Sequence, residues 1–174
     1  MTDTSSPNAE EKRLVRTILA RKGQADFFVM ESAPAQQQAL LSQAGGLFAQ
    51  NGITPAYIDL SQGVTLGQVM EKLADYAREG VDVVHLTGGG EWLRGREPFN
   101  EGTAVRADLL NIRRENLFRL KVKTMLWLAA DDIGMLATTA PDLWAWRSGV
   151  YDLSTPAPAA TAAQKPPAAP AGPV

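Results

Sequence analysis

The sequence predicts an α/β fold, a three-layer sandwich whose mostly parallel sheet carries helices on both faces. Three observations predict it. Apolar residues switch repeatedly between helical spacing and short continuous runs along the chain. The stretches joining successive runs are long enough to hold a helix, which parallel neighbours require as a crossover. The 174 residues, 45% hydrophobic and 21% charged, are ordinary for one domain built on a single core.

Taken in order, residues 1–12 are polar and charged and are expected to form a flexible N-terminus. Leu14, Val15, Ile18 and Leu19 share a helical face, and the apolar run 25–30 reads as the first buried strand. Leu40, Leu41, Ala44, Leu47 and Phe48 repeat the helical spacing, and Asn51-Gly52 supplies a stop signal. Residues 53–60 form the second strand. Thr65 and Gln68 are spaced as a capping box ahead of Leu66, Val69, Met70, Leu73, Tyr76 and Ala77, and Gly80 ends that helix. The third strand covers 81–87, and 88–102 reads as a glycine- and charge-rich loop. A helix over 104–120, an apolar run over 122–128 and a helix from Asp131 or Asp132 toward Trp146 complete the α/β domain, 13–153. Residues 154–174 are almost entirely Ala and Pro. They lack the apolar surface that offsets ordering entropy, so a disordered tail is expected there.

Composition narrows the function. There is no cysteine, which excludes a disulfide framework and thiolate zinc sites. A net charge of -2 gives no global pull toward nucleic acid or an anionic membrane. The amino terminus lacks the apolar core of a secretory signal, and no run approaches the ~20 apolar residues that span a bilayer. A cytoplasmic protein with no membrane partner is the expectation.

In a parallel α/β sheet the ligand site lies beyond the carboxyl ends of the strands. After the first strand comes Glu31-Ser32-Ala33-Pro34-Ala35-Gln36, with no glycine to wrap amides around a phosphate and no lysine to grip one. After the third strand comes Thr87-Gly88-Gly89-Gly90-Glu91, whose one acid stands several residues late for holding magnesium through water. Gly88, Gly89 and Gly90 are a possible anion loop, set against the reading of a flexible connector. His85 is the lone histidine and sits inside an apolar strand, as a core or rim histidine does. No Gly-x-Ser-x-Gly nucleophile elbow occurs. The paired acids Asp131 and Asp132 suit a helix start better than acid or base work. Basic residues gather in the second half, including Arg94, Arg106, Arg113 and Arg114, but do not form one helical stripe.

Three stretches carry a resemblance. They are Leu109-Leu110-Asn111-Ile112-Arg113-Arg114-Glu115-Asn116-Leu117, then Met125-Leu126-Trp127-Leu128, then Ala140-Pro141-Asp142-Leu143-Trp144-Ala145-Trp146-Arg147-Ser148-Gly149-Val150-Tyr151. Together they resemble the inactive STAND-like domains of bacterial conflict and signalling proteins, a degenerate P-loop NTPase fold often joined to tetratricopeptide repeats or effector modules. The resemblance implies a module that is not an enzyme, holds no cofactor and acts by protein-protein contact with an effector or repeat protein. Trp144, Trp146 and Arg147 are the possible partner surface, with the alternative that they lock the last helix onto the sheet. Trp144 and Trp146 stand two apart and cannot share one helical face. Arg147 is placed to stack on an aromatic or to pair with Asp142. The alternatives are a nucleotide-binding switch using the glycine loop and a nucleic-acid-binding subunit using the arginines.

Overall fold

A computed structural model describes residues 6–154, so the tail expected over 154–174 lies outside the described residues from 155 onward. Helix α1 (Ala9–Ala20) leads to strand β1 (Asp26–Glu31), α2 (Gln37–Gln50), β2 (Pro55–Asp59), a 3-10 turn (Leu60–Gln62), α3 (Leu66–Arg78) and β3 (Val83–Thr87). There follow α4 (Gly89–Arg94), the hairpin of β4 (Arg96–Phe99) and β5 (Gly102–Val105), α5 (Arg106–Ile112) and α6 (Arg114–Arg119). The chain ends in β6 (Lys123–Leu128), α7 (Ala130–Thr139), α8 (Pro141–Ala145) and β7 (Gly149–Tyr151).

Five strands form one wholly parallel sheet in the order β2-β3-β6-β1-β7. Strand periodicity divides the core between its faces. Phe28, Met30, Met125 and Trp127 meet Leu14, Ile18, Ala44 and Phe48 of α1 and α2 on one face. Phe27, Val29, Leu126 and Leu128 meet Leu73, Trp92, Leu110, Leu117, Leu136 and Leu143 of α3 through α8 on the other. Three layers result, as the alternation of patterns predicts.

Local chemistry moves several boundaries. Helix α1 begins inside the stretch assigned to a flexible N-terminus, because the Asn8 side chain accepts from the Glu11 N–H at 2.9 Å and Glu11 caps the Asn8 N–H in return. The stretch 88–102 is a helix and a hairpin instead of a loop. Asn100 takes φ 53° in the two-residue turn between β4 and β5, a conformation asparagine tolerates. The helix expected over 104–120 starts later, since β5 holds 102–105, and it breaks at Arg113 into α5 and α6. The helix toward Trp146 breaks at Ala140, which precedes Pro141 and leaves helical geometry at φ -121°, ψ 62°.

The amino-terminal edge of the sheet holds a buried ion pair. Asp26 and Lys123, register partners in β1 and β6, are 3% and 2% exposed, with Nζ 3.3 Å from Oδ2. Charges so buried need every donor and lone pair occupied. Lys123 Nζ also donates to the Arg21 and Gln24 carbonyls, and Asp26 accepts from Arg21 Nε at 2.9 Å and Ser148 Oγ at 2.7 Å. Among the described residues no helix is long and apolar enough to cross a membrane.

Candidate functional site

At the carboxyl edge of the sheet lies a cleft of about 460 Å³, walled by the β1–α2 connector, the 3-10 turn, the start of α4 and the end of β6. It occupies the place where open parallel sheets bind ligands. Its groups, however, are largely engaged with one another. The connector from β1 to α2 is short. The Ser32 N–H donates to the Leu128 carbonyl at 2.9 Å, and Gln36 N–H to the Ala33 carbonyl at 2.9 Å, so two amides a phosphate would need are taken. Gln37, the first residue of α2, keeps a buried side-chain amide nitrogen with no partner beside the cleft.

Of the cleft's charges, Arg106 lies 2.8 Å from Glu97 and stacks 5.4 Å from the Trp92 ring. Glu97 in turn accepts from the Leu66 N–H at 3.1 Å, which ties the hairpin to the start of α3. Asp132 pairs with Arg94, and Glu91 stands exposed on α4. Asp59, at the end of β2, accepts from Ser61 Oγ at 2.6 Å, Ser61 N at 3.0 Å and Gln62 Nε2 at 3.2 Å. Those hydrogen bonds, the Ser61 hydroxyl first, hold its carboxyl below the usual range. The charged lining residues are two carboxylates, Glu91 and Asp132, and one cation, Arg106, and no set of three or more His, Cys, Asp or Glu gathers to hold a metal among the described residues.

The glycines the sequence singled out do line this cleft, yet each is fixed by close packing. Gly88 turns left-handed at φ 72°, and a Cβ there would lie 2.9 Å from the Ser61 nitrogen. One on Gly89 would lie 2.9 Å from Leu126 Cδ1. One on Gly90 would strike the Asp132 carboxylate. They let α4 dock against β6 and the 3-10 turn.

Trp144, Trp146 and Arg147 lie elsewhere, on α8 and the turn after it. Trp144 packs inward on the core, while Trp146 is 42% exposed, edge-on to Phe118 at 5.3 Å. Arg147 stacks 4.1 Å over the Trp144 ring and donates to its carbonyl. Asp142 pairs with Arg114 at 3.6 Å instead, and Arg114 lies 5.2 Å from the Trp146 ring. Asn111 completes the join: its Oδ1 accepts from the Leu143 N–H at 2.9 Å and its Nδ2 donates to Asp142 at 3.3 Å. Motif pieces 31 and 32 residues apart are thus one contact, which spacing alone did not reveal. The arginines of the second half do not converge; Arg94, Arg106 and Arg114 each meet a different acid.

His85 is fully buried between Phe48 and Tyr57, with ring centroids at 5.6 and 4.9 Å. Trp127 Nε1 donates to its Nδ1 at 3.0 Å, which places the neutral ring's proton on Nε2, and Nε2 has no partner. Burial pushes its pKa down to about 4.

A parallel sheet of order β2-β3-β6-β1-β7 with its cleft beyond the ends of β1, β3 and β6 defines a P-loop NTPase-like fold. No family model matches the chain, and no curated protein matches it. Among solved structures it is similar to the Aeropyrum pernix ORC2 protein in its ADPNP-ADP complexes, at 13% identity and a TM-score of 0.51 over 87% of this chain and 48% of that one. The ADP form of the same protein gives 14% identity and 0.48 over 87% and 50%, and the DnaC helicase loader 14% and 0.40 over 86% and 94%. The chain spans about half the length of ORC2.

Proposed function

We propose that the protein is a STAND-like module that keeps the P-loop NTPase-like architecture without nucleotide hydrolysis and works as an adaptor or regulator in a bacterial signalling or defence system. The observation that carries this reading is the use made of the phosphate-loop position. The Ser32 amide is given to Leu128, the connector has neither glycine nor lysine, and the cleft's arginine is neutralised by Glu97. A polyphosphate entering there meets Glu91 and Asp132 and no unpaired lysine or arginine among the lining residues. The partner is a protein, an effector or repeat protein, meeting the face formed by Trp146, Trp144 and Arg147, because a half-exposed tryptophan flanked by arginines is the composition of an interface anchor.

Cross-linked capture from the source cell with the intact chain and with Trp146→Ala tests it. The side chain is largely outside the core, so the variant keeps its circular dichroism and melts within a few degrees of the parent. Loss of the captured protein in that folded variant is expected. Capture unchanged by the substitution contradicts the assignment of the face.

A second reading, a nucleotide-binding switch, draws on the unpartnered Gln37 amide and on a cleft volume within the ~300 to 1,000 Å³ of small-molecule sites. It needs phosphates to displace contacts the protein already makes.

A further inference from the structure

The edge of the sheet opposite the cleft carries a second cavity, of about 250 Å³, where the segments entering β1, β2, β3 and β6 meet. Its floor is apolar, with Ile18 and Leu19 from α1, Ile53 ahead of β2 and Val81 ahead of β3. Ile18 and Ile53 are buried, whereas Leu19 is 44% exposed, so the wall stays open above a closed core. Gly23 and Gly80 stand at the rim with φ of 77° and 80°, and a Cβ on either would meet nothing within 4 Å.

The charge over this floor is net positive, with three lysines against the single carboxylate of Asp82 among the lining residues. Lys123 is neutralised by Asp26, but Lys22 and Lys121 enter no ion pair among the described residues. Asp82, the carboxylate in the wall, is held by the Thr54 N–H at 2.8 Å and keeps its negative charge, so the two unpaired lysines outnumber it without cancelling it. The buried Asp26–Lys123 pair ties together the strand starts at this edge, so the ordering cost of binding falls on the peptide and on the exposed Lys22 and Lys121 side chains.

The volume is below the ~300 Å³ at which small-molecule sites begin and suits one large side chain. Apolar walls under two unpaired lysines select an apolar anchor with carboxylates beside it. We propose that this cavity is a docking site for an acidic peptide segment, which seats one Leu- or Phe-sized side chain between α1 and the β3 entrance and sets its carboxylates on Lys22 and Lys121. The site is separate from the carboxyl-edge cleft and from the Trp146 face, and stands whether or not either of those binds anything.

A fluorescein-labelled peptide with one Phe between pairs of Glu is the probe, read by fluorescence anisotropy on the whole chain. Binding is expected at low salt and weakens as salt screens the rim lysines. Affinity falls at least about tenfold in Lys22→Glu/Lys121→Glu and several-fold in Leu19→Ala. All three positions are outside the buried core, and unchanged melting confirms that the variants are folded; Lys22→Gln/Lys121→Gln replaces the reversal if it is not. A Phe→Ala peptide loses most of the binding. Equal affinity for the parent and the charge variants, equal affinity for the Phe→Ala peptide, or no binding at millimolar peptide overturns the proposal. So does binding of phosphatidylserine vesicles through the same lysines in place of the peptide.

Discussion

Each glycine from 88 to 90 answers to a different neighbour, and the consequence of replacing it follows from what that neighbour can do. At Gly88 the neighbour is backbone and φ is positive, so Gly88→Ala is expected to cost roughly 1–3 kcal/mol. Gly89→Ala pushes on Leu126 and Leu128 in the core and costs a similar amount, about 1–3 kcal/mol. At Gly90 the Asp132 carboxylate can swing aside, giving up its pair with the half-exposed Arg94, so the loss stays within about 1 kcal/mol. Urea denaturation of the three variants measures the ranking; three equal, negligible effects would restore the flexible connector. The sequence revealed that this spot is unusual but not why, because the atoms that crowd the glycines come from the end of β2, the 3-10 turn, β6 and α7. His85 was legible as a core or rim histidine; it lies in the core, and its burial predicts a pH effect. Its folded pKa of about 4 lies below the ordinary 6.5, so the unfolded chain binds the proton more readily. Stability is therefore full above pH 6.5 and declines as pH falls toward 4, by up to roughly 3 kcal/mol from this group. Urea midpoints across that window should show the decline in the parent and a flatter profile in His85→Gln.

Among the elements, those written by local chemistry were legible. The capping box of Thr65 and Gln68 forms as spaced, with Thr65 Oγ1 accepting from the Gln68 N–H at 3.2 Å. The apolar runs of β1 and β6 are strands because they are buried on both faces. What escaped were elements fixed by distant partners. Strand β7 has three residues and exists because it pairs with β1, helped by Ser148 donating from N to the Phe27 carbonyl and from Oγ to Asp26. Helix α8 has five residues and is held at its start by Asn111 from α5. Asn111→Ala removes that acceptor and is expected to cost about 1–2 kcal/mol, read by denaturation. Asp142→Asn keeps the Asn111 acceptor for Leu143, weakens the half-exposed pair with Arg114 and leaves an amide oxygen to accept from Asn111 Nδ2, so it costs less, within about 1 kcal/mol. A cost for Asn111→Ala no larger than for Asp142→Asn would place the lock elsewhere.

Taken whole, the molecule is an α/β sandwich whose layer order was readable from alternating periods, whereas its strand order was not, since pairing depends on which helix crosses which face. The carboxyl edge was readable as the place to look, and the missing glycine and lysine after β1 were already informative there. That the remaining groups hold one another required the structure: Ser32 on Leu128, Arg106 on Glu97 and Arg94 on Asp132. From this the protein is expected to leave nucleotides alone, because a phosphate must first break those contacts in an acidic cleft. Thermal unfolding of the purified protein with millimolar ATP, GTP, ADP and GDP, each with magnesium, is the measurement to make. An unchanged melting temperature is the predicted result. A ligand present at a hundred times its Kd adds about 2.7 kcal/mol. A reproducible rise of several degrees with any one nucleotide would therefore contradict it and make the Gln37 side of the cleft a working nucleotide site.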